Sequence, residues 1–466
     1  MAIATELGNR IASLRLCEIP PAAVRSAKMA ILDTIGVTLA GGMEQAPQIA
    51  ARVLDAEKTA GNSLIFGSTR RTSCLNAALI NGVSSHVLDF DDCSDTMGGH
   101  PSVAMLPAIL ALAEEKEANG ADVLLAYIAG FETETRIARG VNFFHYTKGW
   151  HPTSTLGIFG AVSGCSRLLN LPAEKIATGL ALGISMASGV KANFGTMTKS
   201  LHVGHCCRDG LFAALLAKEG YTANPQAFEH KQGFFEVFNG AGNYDGARIL
   251  EHWANPLDII EPGVAIKQYP CCGSTHPALD AMIEIVEAHR IALEEVSQID
   301  VWTHARRLAH TNRPDPRSDL EAKFSVQYCV ARAFLHSRVI LEHFEANASQ
   351  DTDVRKVMRQ IRVQPYTEDQ FPAENHFGGE VRIVLTNGQV YSAKVQNALG
   401  RTSANPLPAE RVRRKFENCA GRVLASPYVA RIHDAVAHLE ELPNIREFLN
   451  LIAEGTAAAK TAATLG

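Results

Sequence analysis

Apolar residues recur at three- and four-residue intervals through most of the first half of the chain, the period of helices with a buried face. From Ala4 to about Leu257 nearly every segment reads as helical. Helices are predicted over Pro21–Gly41, Asn76–Val87, Val103–Glu114, Ala121–Arg139 and Pro172–Ala187, with the opening proline and closing glycines that mark helix ends clearest in Pro21–Gly41. In Leu156–Gly164, Gly157, Gly160 and Gly164 fall on one face, which predicts close approach of a neighbouring helix rather than a nucleotide loop. Near residue 268 the character changes. A helix over His276–Arg290 is followed by a strand-like stretch, Ser297–His304, and then by Glu380–Thr386 and Gln389–Gln396 on either side of Asn387-Gly388, a strong hairpin signal. Ser403-Ala-Asn-Pro-Leu-Pro marks the exit, Ala409–Ala420 returns to helix, and the Ala/Thr-rich tail Ala457–Gly466 is expected to fray. The pattern therefore predicts a mainly α protein with an inserted α+β domain: a helical domain from 1–267 and 398–466, and a smaller domain over 268–397.

Five polar loops interrupt this pattern. The first, 86–102, places Asp89, Asp91, Asp92 and Asp95 within seven residues and closes on Gly98-Gly99-His100-Pro101. Asp, Gly-Gly and His-Pro all disfavour helix, so this is a loop between two buried helices, where side chains can be aimed at a ligand. The plainer alternative is a solvated acidic turn with Ser102 as N-cap. The second loop holds His151 between Gly-Trp and Pro, with hydroxyls and a helix start beyond, which would lower the histidine's pKa; Thr153 or Ser154 as a simple N-cap is the alternative. The third, Lys191–Gly204, carries Lys199 and His202 ahead of the apolar run Gly210–Lys218. The fourth, Gly263–His276, carries Lys267, Cys272 and His276 at the domain boundary, and the fifth carries His310 before Thr-Asn-Arg-Pro, with Ala322-Lys-Phe-Ser325 following. For these three the alternatives are a solvated lysine, a hinge with packed cysteines, and a surface turn.

Composition narrows the chemistry. At 466 residues, 46% hydrophobic and 20% charged, with a formal net charge of -5, the chain is an ordinary globular protein with no basic stripe for nucleic acid. No apolar run approaches the ~20 residues a membrane helix needs. The N-terminal segment has an acid, Glu6, where an export signal would have an apolar core, and ten cysteines without a leader predict reduced thiols in the cytoplasm. None forms Cys-x-x-Cys, so no metal site is expected. No dinucleotide fingerprint, Walker loop or nucleophile elbow is present. What remains is two lysines, several histidines, aspartates and hydroxyls. That inventory suits acid–base chemistry on a small carboxylated molecule, with cations holding carboxylates and a histidine moving a proton near neutral pH.

Taken together, Asp89-Phe-Asp-Asp with His100-Pro-Ser, Gly149-Trp-His-Pro, Thr198-Lys-Ser-Leu-His-Val-Gly, Lys267 with Tyr-Pro, and Ala322-Lys-Phe-Ser resemble the MmgE/PrpD family, in order from about residue 5 to 420. That family includes 2-methylcitrate dehydratase, cis-aconitate decarboxylase and iminodisuccinate epimerase. The resemblance implies a large helical domain, a smaller lid domain, a homodimer, and no metal or organic cofactor. It also implies a site at Asp89, His100, His151, Lys199 and Lys267. Cys272, with His276 further on, stands where decarboxylase and dehydratase members have a histidine, and His310 stands where the decarboxylases have a tyrosine. Around His100 the wording is closer to the epimerase.

The reading is a cofactor-independent lyase of dehydratase or decarboxylase type on a small di- or tricarboxylate. His151, His100 and Asp89 would be catalytic, and Lys199, Lys267, Cys272, His202, His276 and His310 would bind substrate. An epimerase using the same proton transfer is the alternative. A non-catalytic carboxylate-binding protein is the alternative from another class.

Overall fold

Helices dominate because long apolar stretches carry few β-branched runs and are punctuated by proline and glycine. The computed structural model describes residues 2–372 and 375–465, which fall into two compact units, 1–266 with 408–466, and 267–407.

The larger unit is helical apart from a two-stranded antiparallel ribbon, β1 (Ser63–Leu64) with β2 (Arg71–Thr72). The predicted helices form as Pro21–Gly41, Cys74–Val87, Pro101–Lys116, Gly120–Val141 and Ala173–Met186. Pro21–Gly41 is one-sided only in its first half; from Ala30 to Gly41 every residue is buried. Cys74–Val87 starts on Ser73, whose hydroxyl accepts the Asn76 N–H at 3.3 Å. The glycine face of Gly157–Leu168 lets helices approach closely. A Cβ on Gly160 would lie 2.3 Å from Glu134 Oε2, and one on Gly164 would lie 2.5 Å from Ile109 Cδ1. Phe159, Phe228, Phe234 and Leu180 centre one core of this unit. Among the described residues no helix is long and apolar enough to cross a membrane.

The smaller unit is built on a four-stranded sheet, ordered β4 (Ile361–Pro365), β3 (Val296–Thr303), β5 (Gly379–Leu385), β6 (Val390–Val395). β5 alternates cleanly, with Val381 and Ile383 inward and Arg382 outward, and packs with helices His276–Ala288 and Val326–His336 into one core. The β5–β6 hairpin turns at Asn387-Gly388, where Gly388 takes φ +86° and Leu385 N–H reaches Gln389 O at 2.8 Å. Strand β4 pairs in parallel with β3 and was not visible in the sequence pattern. The tail also differs from expectation. Helix Ile445–Leu465 runs almost to the end, because alanine is the best helix former; Gly466 lies outside the described residues.

Candidate active site

The acidic loop is not solvated. Asp89, Asp91 and Asp92 are all buried. Two backbone ties pin it: Cys93 N–H to Ala265 O at 2.7 Å with Ala265 N–H to Cys93 O at 2.8 Å, and Ser94 N–H to Gly99 O at 2.9 Å. Asp89 adopts φ +54°, a left-handed conformation that Asp tolerates better than most side chains. Ser102 is not the N-cap of Pro101–Lys116; His100 occupies that position, and Asp92 satisfies the helix start instead. Its Oδ1 accepts the Ser102 N–H at 3.2 Å and its Oδ2 the Ser102 hydroxyl, which also meets Tyr127 OH at 2.6 Å. Burial pushes the Asp92 carboxyl up to about 7.

His151 comes to the same place by a different route. Segments 149–151 and 189–191 pair, with His151 N–H to Gly189 O at 3.0 Å and Lys191 N–H to Gly149 O at 2.8 Å. Gly189, at φ +123°, lies against the His202 ring, where a Cβ would come within 3.2 Å. The helix beyond His151 is only Pro152–Thr155, and Thr153 and Ser154 do not cap it with their side chains. Thr153 Oγ1 accepts the His100 N–H at 3.2 Å, and Ser154 Oγ donates to His202 O at 3.0 Å. Lys199 differs from its sequence expectation. It lies in the first turn of the 22-residue helix Thr198–Glu219, not in a loop, and that helix packs against Cys74–Val87.

The side chains converge. Lys199 Nζ is 2.6 Å from Asp89 Oδ1, and His100 Nε2 is 4.0 Å from the same oxygen. Asp91 Oδ2 receives His86 Nδ1 at 2.7 Å and His100 Nδ1 at 3.0 Å. The His86 ring stands edge-on to His100 with centroids 4.7 Å apart and stacks on His151 at 5.6 Å. His151 Nδ1 meets His202 Nδ1 at 3.1 Å, and Phe194 lies edge-on to the His151 ring. The larger unit thus gathers Asp89, His100, His151, Lys199 and His202 in one cluster. His86 and Asp91 belong to it too, although sequence reading gave them no role.

Burial sets the protonation states. It lowers His86 to about 4, against the pull of Asp91 and with help from Lys199. It also holds His151 well below the usual histidine value, helped by neighbouring imidazoles and Lys199. Burial is the largest cause of the His151 shift, where the sequence offered only the helix start beyond it. For Asp91 burial acts upward, but His100 and His86 outweigh it and hold the carboxyl well below its ordinary value. His86 and His151 are therefore neutral near pH 7 while the Asp91 carboxylate is ionised, a state suited to taking a proton. His86, Asp89 and His100 each offer a ligand atom within 4.8 Å of the others. The Lys199 ammonium against Asp89 opposes a metal cation there, and the arrangement is better suited to moving protons than to coordination.

The remaining candidates lie in the smaller unit. Lys267 is buried, with its Cε 3.8 Å from a Cβ built on Gly273 and Arg401 Nη1 at 3.4 Å. Cys272 donates its N–H to Lys323 O at 2.9 Å. Ser274 Oγ meets His310 Nε2 at 3.1 Å and accepts from Arg307 Nη1 at 3.3 Å; His310 sits in helix Ala305–Thr311 rather than in a loop. His276 is interior, with Nε2 3.2 Å from Cys271 O and its ring edge-on to Tyr269.

Comparison with known proteins accounts for both units. The MmgE/PrpD N-terminal domain matches residues 5–246 and the MmgE/PrpD C-terminal domain matches residues 269–441. The chain belongs to the MmgE/PrpD family. Relatives in this family include human cis-aconitate decarboxylase, 28% identical over 97% of this chain and 94% of the relative. The mouse cis-aconitate decarboxylase is 26% identical over 97% and 93%, and that of Aspergillus terreus is 25% identical over 97% and 96%.

Proposed function

We propose that the chain is a lyase acting on a small tricarboxylate of the cis-aconitate type, losing carbon dioxide or water through proton transfer at a carbon next to a carboxylate. The observation that carries this reading is the buried contact of Lys199, Asp89 and His100, with Asp91 behind the histidine. A lone ion pair would be a poor reason to bury Lys199, Asp89 and Asp91 together, since desolvation offsets much of its attraction. A cluster that must hold a carboxylate and move a proton has a use for them. Near full-length similarity to cis-aconitate decarboxylases supports the substrate class.

In this reading His100 and His151 are the proton carriers. His100 Nε2 lies 4.0 Å from Asp89 Oδ1 and His151 is buried against His86 and His202, surroundings in which electrostatic contacts are strong. Lys199 stabilises negative charge that develops on the substrate carboxylate as the adjacent carbon gains or loses its proton, and Asp89 holds the ammonium in place. His202 fixes the His151 ring through Nδ1. We assign Lys267, His310 and the Cys272–His276 turn of the smaller unit to binding substrate carboxylates. In decarboxylation the carbon–carboxylate bond breaks, its electron pair stays on the substrate and a proton replaces carbon dioxide; in dehydration a proton and hydroxide leave together as water. Neither route needs a redox partner. We take the working form to be a homodimer without metal or organic cofactor, as the family resemblance implies.

The test is a proton-NMR screen of cis-aconitate, citrate and 2-methylcitrate, with tartrates and iminodisuccinate as controls for inversion. Conversion of a tricarboxylate to a decarboxylated or dehydrated product supports the lyase. Inversion of a dicarboxylate alone would make the protein an epimerase, and binding without conversion would make it a carboxylate-binding protein.

A further inference from the structure

His86 and Asp91 stand outside the substrate contacts assigned above, yet both are buried completely against them. A single oxygen of Asp91 meets Nδ1 of two imidazoles, 2.7 Å from His86 and 3.0 Å from His100. An ionised carboxylate only accepts, so each of those nitrogens must carry the proton. A neutral imidazole has one N–H, so in its neutral form each ring is the Nδ1–H tautomer with the lone pair on Nε2. For His100 the surroundings agree: Nδ1 also lies 2.7 Å from the carbonyl oxygen of Asp92, another pure acceptor, and 3.7 Å from Cys93 Sγ. Its other nitrogen, Nε2, faces Asp89 Oδ1 at 4.0 Å. His86 braces the arrangement edge-on to the His100 ring, while its own Nε2 meets no hydrogen-bond partner.

We propose that Asp91 and His86 are positioning residues for His100: the carboxylate holds His100 with its proton on Nδ1 and its basic Nε2 toward the Asp89–Lys199 pair, and His86 occupies the other side of that carboxylate so that it stays anchored. This rests on the reading of His100 as a proton carrier. Both residues act through His100 and touch no substrate. The device resembles the orienting carboxylate behind a catalytic histidine in hydrolytic triads, doubled here by a second imidazole.

The tautomer can be read without substrate. In protein labelled with ¹⁵N-histidine, two-bond ¹H–¹⁵N spectra at pH 7.5, with His100 assigned by His100→Gln, should show a protonated Nδ1 and an unprotonated Nε2. In Asp91→Asn, where the amide can donate to an imidazole nitrogen, the Nε2–H form should appear, and kcat should fall by about 100-fold or more with KM changed less than about 3-fold. A wild-type His100 carrying its proton on Nε2 overturns the proposal, and so does a folded Asp91→Asn that keeps its kcat. Should Asp91→Asn not fold, the wild-type tautomer decides alone. If wild-type protein converts no tricarboxylate, it is the lyase reading that fails, and the tautomer measurement still tests the geometry.

Discussion

Replacing Lys199 by methionine keeps the length of the side chain and removes its charge. The ammonium lies 2.6 Å from Asp89 Oδ1, with the two side chains only 9% and 7% exposed, so water screens the pair weakly. Losing one partner leaves a buried carboxylate with His100 Nε2 4.0 Å away, and breaking such pairs typically costs about 3–5 kcal/mol. Asp89 escapes part of that cost by taking up a proton. The loss in Lys199→Met should therefore be largest near pH 8 and smaller near pH 5. Adding Asp89→Asn to Lys199→Met removes the orphan charge and should recover much of the stability at pH 8. Urea unfolding of the wild type, both single variants and the double variant at both pH values measures this coupling. Activity follows a separate logic. With the cation absent from the developing negative charge, kcat/KM should fall by about 100-fold, and the double variant should not regain it. Additive stability effects with no recovery, or Lys199→Met kinetics equal to the wild type, would refute the account of this pair.

His151→Gln should keep the fold and lower kcat by about 100- to 10,000-fold, the scale of a general acid–base, and His100→Gln is its comparison; near-normal turnover in His151→Gln with none in His100→Gln would leave His100 as the sole carrier. Prolonged EDTA treatment should leave activity unchanged, because Lys199 opposes a cation beside Asp89; loss on chelation with recovery on one metal would show that His86, Asp89 and His100 coordinate it. Burial lowers His86 and His145 in the folded protein to about 4, from the ordinary histidine value of about 6.5. Below 6.5 the unfolded chain binds protons the folded one refuses, so these residues favour folding above that pH and stability drains as pH falls from 6.5 towards 4. Melting temperature should drop across that window, and a flat profile would contradict the buried neutral state.

Much of the fold was legible because helical period, helix-end residues and the Asn387-Gly388 turn are local signals. Strand β4 was hidden since its partner in the parallel pair, β3, lies some sixty residues away and no turn joins them. In the site, the density of aspartates in 86–102 marked the loop, but sequence does not say which acids turn inward. Asp91 gains its meaning only from two histidines, five residues before it and nine after. His86 was obscured because it closes an ordinary-looking apolar helix, Cys74–Val87, in which a histidine reads as packing. Lys199 reads as a loop residue because Thr-Lys-Ser-Leu-His gives little apolar signal, although tertiary packing extends the helix through it. The physical cause of the His151 shift was likewise out of reach: burial is a property of the whole helical unit, while a helix start can be seen from the next four residues.

The most direct test of the central claim is turnover of cis-aconitate in D₂O followed by ¹H and ¹³C NMR. The account predicts loss of carbon dioxide or a change in hydration, with solvent deuterium at the carbon next to a carboxylate in any product that gains a proton there. It also predicts that His100→Gln and His151→Gln slow this incorporation together with product formation. Unchanged cis-aconitate that still perturbs the protein's histidine resonances would contradict it, leaving a site that binds a tricarboxylate and moves no proton.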